Sequence, residues 1–458
     1  VSTLRERARI AVANDELQVA LERATDRFAT QKVAGASTVA NYEELREAAR
    51  WVRAGVLARL PDVLGELADK LESRGVHVHW ASDGADANAY ILDVAQQCGA
   101  KVVVKSKSMA SEEIHLNDTL GAAGIEAVET DLGEWIIQLA RETPSHIILP
   151  AIHKTRKDIA AVLNQVAGGD LSDVPAELCA FARQQLRAKF MQAEVGISGV
   201  NFGVAETGSV VIITNEGNGR LVTSVPRTHI AVMGMERVLQ TWEQFELMLA
   251  LLPRAATGQQ ITTYVNALSG PRRPGEVDGP DEMHLVILDN GRSDILGTEF
   301  QEILHCIRCG ACLNVCPVYR QIGGHGYGAV YSGPVGAVLT PLLSAAEEAG
   351  ELQNASTLCG ACWQACPVKI PLQDLLLGLR RKKAEEATSF SGERLAWQAW
   401  GTAWSKPGAY RATTGVAGAA AKVVPESWVP VRWREGRMAP RPRGTSFRHW
   451  MGGEGSGT

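Results

Sequence analysis

Two fold classes are predicted within one chain: an α/β domain with a mostly parallel sheet over residues 61–294, then an α-helical domain over 295–378. Three features predict them. Between about 61 and 290, short β-branched or apolar runs alternate with amphipathic helical stretches, the pattern of strands joined through helices. Seven of the nine cysteines fall within 306–366. The later part of the link between those cysteines, Gly336–Leu352, has helical character, which favours a helical over a compact β-rich domain. Residues 1–60 read as a helical lead-in, and 379–458 as a basic, Trp-rich, helical to irregular C-terminal extension.

The overall composition is ordinary for a globular protein. A hydrophobic share of 45% and a charged share of 21% disfavour disorder, collagen-like repeats and coiled coil. A net charge of −5 gives no global reason to expect nucleic acid or an anionic membrane as partner. The charge is uneven, however: from residue 376 onward fourteen Lys and Arg stand against six Asp and Glu, including the run Arg380, Arg381, Lys382 and Lys383. A solvated helix face accounts for that run, with an acidic docking partner as the sharper alternative. No signal-peptide pattern is found, because Arg5, Glu6, Arg7 and Arg9 interrupt any apolar core. No stretch reaches the roughly 20 apolar residues of a membrane helix. A cytoplasmic location is therefore expected, with any membrane reached through a partner, and a reducing interior keeps clustered thiols available as metal ligands.

In chain order, the lead-in places Glu43, Glu44, Arg46 and Glu47 opposite an expected buried stripe of Leu45, Ala48 and Val52. Strands are expected at Val76–Trp80, Lys101–Val104, His146–Leu149, Ser209–Thr214, His229–Met233 and His284–Leu288. Ligands of such sheets sit beyond the carboxyl ends of strands. That rule singles out Lys105 to Ser108, Pro150 to Lys154 and Thr214 to Arg220, with the turn from Asn201 to Ser209 beside them. Polar, glycine-rich strand ends serve pockets and plain turns equally well. Residues 270–280 form a loop. Trp397, Trp400 and Trp404 share one helical face, a packing stripe. Past 425 Pro, Arg and Gly increase, and 452–458 read as a flexible end.

The chemistry is concentrated in two cysteine motifs. Cys306, Cys309, Cys312 and Cys316, followed by Pro317, form the C-x2-C-x2-C-x3-C-P run that holds cubane iron–sulfur clusters. Steps of three residues let one tight loop wrap three corners of a cluster, while the fourth cysteine lies too far along and ligates the other one. The second motif, Cys359, Cys362, Cys366 and Pro367, is the same run with Ser356 at the first cysteine position. Crossed ligation then assigns Cys306, Cys309, Cys312 and Cys366 to one [4Fe-4S] cluster and Cys316, Cys359 and Cys362 to the other. The second is one thiolate short. A Ser356 alkoxide, a water, a partner residue or a [3Fe-4S] cluster are the alternatives for that corner. Zinc fits poorly, since it needs four ligands per ion and does not use this spacing. His305 beside Cys306 suits a hydrogen bond that tunes a cluster potential. The linker glycines, Gly323 to Gly328, lack the Lys-Ser/Thr ending of a phosphate loop and suit close backbone approach instead.

Taken together, these residues resemble the lactate-utilisation iron–sulfur protein B family, the L-lactate oxidation iron–sulfur proteins. The resemblance covers Lys105 to Ser108, Asn201 to Ser209, Thr214 to Arg220, Pro226 to His229, both cysteine motifs, the Gly323–Gly336 linker and the arginine- and tryptophan-rich tail. It implies a first domain similar to ribose-phosphate isomerase and coenzyme A transferase domains, then a helical ferredoxin domain with two [4Fe-4S] clusters. It also implies an electron-transfer role in NAD-independent oxidation of L-lactate to pyruvate. The implied partners are a cysteine-rich subunit like that of heterodisulfide reductase and a stand-alone lactate-utilisation-domain subunit, with a membrane electron acceptor beyond them. No catalytic residue is assigned. Lys105, Lys107, Glu206, Asn215, Arg220 and Arg227 are candidates for a substrate pocket, whose cations suit a carboxylate. The rival expectation is a self-contained α/β enzyme for a phosphorylated or acyl substrate, its clusters structural or regulatory.

Overall fold

A computed structural model describes residues 3–343, 347–386 and 392–420. The Pro- and Arg-rich stretch past 425 and the expected flexible end lie outside these residues. The chain divides into two compact units, Val1–Ala384 and Glu385–Thr458.

The first unit opens with four helices: α1 (Leu4–Val12), α2 (Asp15–Ser37), α3 (Tyr42–Ala58) and α4 (Leu60–Glu72). A capping box starts α1, where Thr3 accepts from the Glu6 N–H and Glu6 reaches back to the Thr3 N–H. The α3 face differs from the expected one. Its buried residues are Arg46, Ala49, Arg53, Val56 and Leu57, whereas Ala48 is exposed and Leu45 and Val52 are half-buried. Two arginines turn inward because each finds backbone carbonyls to bond, which satisfies the charge that burial would otherwise strand.

Ten strands follow among the described residues, β1 (Val76–Ala81), β2 (Val102–Lys105), β3 (Glu126–Glu129), β4 (Val195–Gly199), β5 (Phe202–Val204), β6 (Ser209–Thr214), β7 (Thr228–Gly234), β8 (Val238–Leu239), β9 (Tyr264–Leu268) and β10 (Glu282–Leu288). Six form a wholly parallel sheet in the order β1-β10-β7-β4-β2-β3. Central β7 is buried along its entire length, as a strand covered on both faces must be. The remaining four make a smaller mixed sheet, β8-β5-β6-β9, against which α4 and the helix Trp242–Thr257 pack. Ser209–Thr214 is a strand as expected, but it pairs antiparallel in this second sheet.

His146–Leu149 is not a strand. The His146 Nδ1 accepts from the N–H groups of Ile148 (3.0 Å) and Leu149 (3.2 Å), so a side chain takes the donors that a sheet ladder would have used. The segment instead packs on the cysteine region, where the Ser145 carbonyl accepts from the Tyr319 hydroxyl at 2.7 Å.

Residues 295–378 carry no strand among those described; they are built from short helices, including Tyr319–Tyr327, Gly333–Leu343, Ala361–Ala365 and Leu372–Glu386. Gly324 shows why the linker is glycine-rich, since a Cβ there would lie 1.9 Å from the Ser145 carbonyl oxygen. In the second unit the helices Gly392–Trp404 and Pro407–Ala420 are described. Trp397, Trp400 and Trp404 do share a face, with successive ring centroids 5.5 and 4.8 Å apart, and all three remain exposed.

Candidate metal centre

The two cysteine motifs repeat one backbone design. The residue before the second position of each run is left-handed, Arg308 at φ 58° and Leu358 at φ 55°. Glycine follows that position in the same region, Gly310 at φ 72° and Gly360 at φ 81°. A left-handed non-glycine residue is uncommon, so its recurrence at matching positions marks a shared loop geometry. Each loop then enters a short helix, Ala311–Asn314 or Ala361–Ala365, and ends on Cys-Pro. Backbone amides turn toward the sulfurs. The N–H groups of Arg308 and Ile370 donate to Cys306 Sγ and Cys366 Sγ, both at 3.4 Å, and the Ala311 amide donates to Cys309. Cys316 receives amides from Tyr319 and Val318.

The fold gathers the cysteines into two neighbourhoods. Cys306, Cys309, Cys312 and Cys366, drawn from both motif loops, line one small cavity roofed by Ile147, Val335 and Ile370. Cys316, Cys359 and Cys362 lie near one another. Burial, then the adjacent Cys316 thiolate, pushes the Cys362 thiol up to about 12. Burial and Cys366 do the same to Cys309, also to about 12. Burial likewise raises Cys312, Cys316 and Cys366, so these five thiols are poorly placed to ionise by themselves, whereas hydrogen bonds from Thr357 and the Ala361 amide lower the exposed Cys359. Iron cations reverse that balance, because a coordinated thiol is deprotonated outright. An all-sulfur donor set with amides aimed at its sulfurs fits iron–sulfur clusters.

Buried arginines fix these loops to the rest of the first unit. Arg46 Nε and Nη2 donate to the Cys366 carbonyl at 3.0 and 2.7 Å, and Nη2 reaches the Trp363 carbonyl at 3.2 Å. Arg237 Nη1 donates to the Cys306 carbonyl at 2.7 Å. Arg53 bonds the Val238, Glu236 and Leu304 carbonyls. His305 is buried and its Nδ1 has no hydrogen-bond partner; burial, then Arg53 and Arg50, lowers its pKa to about 3 and leaves the ring neutral.

A cavity of about 320 Å³ opens beyond the carboxyl ends of β2, β4 and β7. Of the six expected pocket residues, Lys107 and Asn215 line it. Lys105 is instead sealed in the sheet, 2.6 Å from Glu129 Oε1. Glu206 caps the helix at Trp242, Arg220 is exposed, and Arg227 pairs with Asp281. Arg227 lies outside because it precedes β7, at the amino end of the sheet. Sequence reasoning missed Glu236, Arg237, Arg292, Arg308 and Tyr331, which form one wall. The signal was present, since Glu236 and Arg237 directly follow β7 and Arg292 closely follows β10, where the strand-end rule points.

Residues 64–288 match the LUD domain, 302–370 the 4Fe-4S dicluster domain, and 380–456 the C-terminal domain of Lactate utilisation protein B. The dicluster match indicates two [4Fe-4S] clusters. Lactate utilization protein B of Bacillus licheniformis is 46% identical, covering 98% of this chain and 96% of its own length. The Shouchella clausii protein of that name is 47% identical over 95% of this chain and 93% of its own, and the Bacillus subtilis one 46% over 98% and 95%. A solved DUF162 family protein from Deinococcus radiodurans covers 50% of this chain and 98% of its own at 15% identity and a TM-score of 0.29, too slight a likeness to argue from. No helix among the described residues is long and apolar enough to cross a membrane.

Proposed function

The chain belongs to the lactate utilization protein B family, and on that premise we propose that it is the electron-transferring iron–sulfur subunit of a system oxidising L-lactate to pyruvate without NAD. In this reading Cys306, Cys309, Cys312 and Cys366 hold one cluster, and Cys316, Cys359 and Cys362 hold the other. The clusters supply one-electron storage and transfer. The protein's part is to ligate, insulate and hold still. Cysteine thiolates provide the ligands, backbone amides stabilise the sulfurs, and Arg46 and Arg237 fix the Cys366 and Cys306 carbonyls so that the two loops keep their spacing.

The observation that carries the proposal is that cysteines from both motifs line a single cavity, Cys366 beside Cys306, Cys309 and Cys312. Crossed ligation of this kind brings two clusters close, as serial one-electron transfer requires. The partners in this reading are a cysteine-rich heterodisulfide-reductase-like subunit and a stand-alone lactate-utilisation-domain protein, with a membrane acceptor downstream. The test is anaerobic purification followed by iron and sulfide analysis, then reduction by L-lactate in the presence of the two partners. Bleaching of the visible iron–sulfur absorbance is expected only with lactate and partners together. Colourless protein containing zinc, or clusters that lactate and partners never reduce, would overturn it.

A further inference from the structure

The large cavity of the α/β domain shares a wall with the first cysteine loop. Arg308 sits between Cys306 and Cys309 in the left-handed conformation described above, and its side chain leaves the loop to line the cavity. There its Nη2 bonds Glu236 Oε1 at 3.1 Å, and its guanidinium lies 4.5 Å from the Tyr331 ring centroid. Its Nη1 is buried and has no hydrogen-bond partner. A buried charged donor left unbonded carries a desolvation cost that no bond offsets, so this guanidinium retains hydrogen-bonding capacity beyond its bond to Glu236.

The neighbouring charges leave Arg308 available. Arg292 is taken by Glu113 and Glu236, through bonds of 2.7 to 2.8 Å. Arg237 is taken by the Cys306 carbonyl and by the face of Phe202. Three guanidiniums against the two carboxylates Glu113 and Glu236 leave this end of the cavity positive. A second cation, Lys107, lines the cavity; its ammonium donates to the Ile148 carbonyl at 2.8 Å and lies 3.6 Å from Asp131, with donor capacity remaining. A second unpartnered polar atom, Asn218 Oδ1, belongs to a buried residue of the same lining. Two carboxyls, Asp131 and Glu216, also face it. Burial, then Asp131, raises Glu216 to about 7, so near neutral pH it holds a proton for part of the time and presents a donor in place of a second negative charge.

We propose that this cavity is a binding site for a small organic acid, whose carboxylate is taken by the Arg308 guanidinium, one residue from a cluster ligand. Its volume lies at the lower end of small-molecule pockets. The position, beyond the carboxyl ends of parallel strands, is where such sheets receive ligands. The proposal goes beyond the electron-carrier reading and does not depend on it, since binding is read as heat and cluster content as iron.

The test is isothermal titration of the full, cluster-loaded chain with L-lactate, pyruvate and malate, with inorganic phosphate as the contrasting anion. At least one acid is expected to bind saturably and more tightly than phosphate. Arg308→Gln is expected to weaken it about tenfold or more, the loss of one charge-assisted hydrogen bond. Iron is measured on the same samples; should Arg308→Gln lose iron, Lys107→Met, remote in sequence from the cysteines, takes its place with the same expected weakening. No saturable heat from any of the three acids would overturn the proposal, as would tighter binding of phosphate or unchanged affinity in an iron-replete variant. Each of those results leaves the electron-carrier reading standing, because the iron analysis decides that separately.

Discussion

Ser356 stands in the second cysteine motif as Cys306 stands in the first. The Leu358 N–H donates to Ser356 Oγ at 3.1 Å, and the Arg308 N–H, two residues past Cys306, donates to its Sγ at 3.4 Å. Both donors are left-handed residues. The Ser356 carbonyl is held by Arg380 Nη2 at 3.0 Å, so the loop keeps this form without a thiol. A cysteine at 356 should therefore meet the corner already shaped for it. Ser356→Cys is expected to leave iron per chain unchanged while altering the Mössbauer spectrum of one site, and a fall in iron would separate Ser356 from that corner.

Crossed and uncrossed ligation give opposite results in a double substitution. If Cys309 and Cys366 serve the same cluster, Cys309→Ala and Cys366→Ala each remove one cluster, and the double variant loses no more iron than either alone. If each motif kept its own cluster, the pair would act independently and both clusters would go. Iron and sulfide analysis of the three variants discriminates between these outcomes.

The two cysteine motifs were legible in local spacing, while the residues that hold their loops in place were not. Three-residue steps and a Cys-Pro ending are short-range facts, and so is a β-branched run such as His284–Leu288, which the structure places in the parallel sheet. Strands such as β3 (Glu126–Glu129) and β9 (Tyr264–Leu268) escaped because each is short and carries charged or polar residues; sheet neighbours decide their conformation. His146–Leu149 misled for the complementary reason, since its apolar run is real but its own histidine caps the amides. The inward arginines of α3 were the least visible. Arg46 and Arg53 look like solvent residues until Cys366, Val238 and Leu304 arrive from distant parts of the chain with carbonyls to offer.

That dependence makes Arg46 a positioning residue with a measurable effect. Arg46→Ala removes two bonds to the buried Cys366 carbonyl, which keeps only the Lys369 N–H at 3.2 Å, and removes the bond to Trp363. Hydrogen bonds to a charged group contribute roughly 1.5–3 kcal/mol, so unfolding should shift to lower denaturant and chelators should strip iron faster. Arg59→Ala is the control, because the Arg59–Asp62 pair is exposed and such pairs contribute little. Equal iron loss from the two variants would mean that the guanidinium does not steady the loop.

Acid should destabilise the α/β domain through its buried imidazoles before its paired carboxylates titrate. His229 is fully buried with Nε2 2.8 Å from Ser198 Oγ, and burial, then His284, lowers its pKa from 6.5 to about 3. Above about pH 6.5 neither the folded nor the unfolded state takes up this proton, so the ring adds no pH dependence there. Below 6.5 the unfolded chain binds a proton that the folded one refuses, and stability falls until about pH 3. Between pH 7 and 5 that is about 2 kcal/mol for one such histidine. Glu236 acts later: burial raises it, but Arg292, Arg308 and Arg237 outweigh burial and hold it at about 2, so its contribution is lost only as pH falls from about 4.5 toward 2. Glu216, raised to about 7, works in the opposite sense over the histidine window. The informative quantity is therefore the difference between the parent and His229→Gln in urea-unfolding stability at pH 7 and at pH 5. His229→Gln is expected to lose about 2 kcal/mol less than the parent over that interval. Equal losses in the two proteins would mean that His229 takes its proton in the folded state as readily as in the unfolded one.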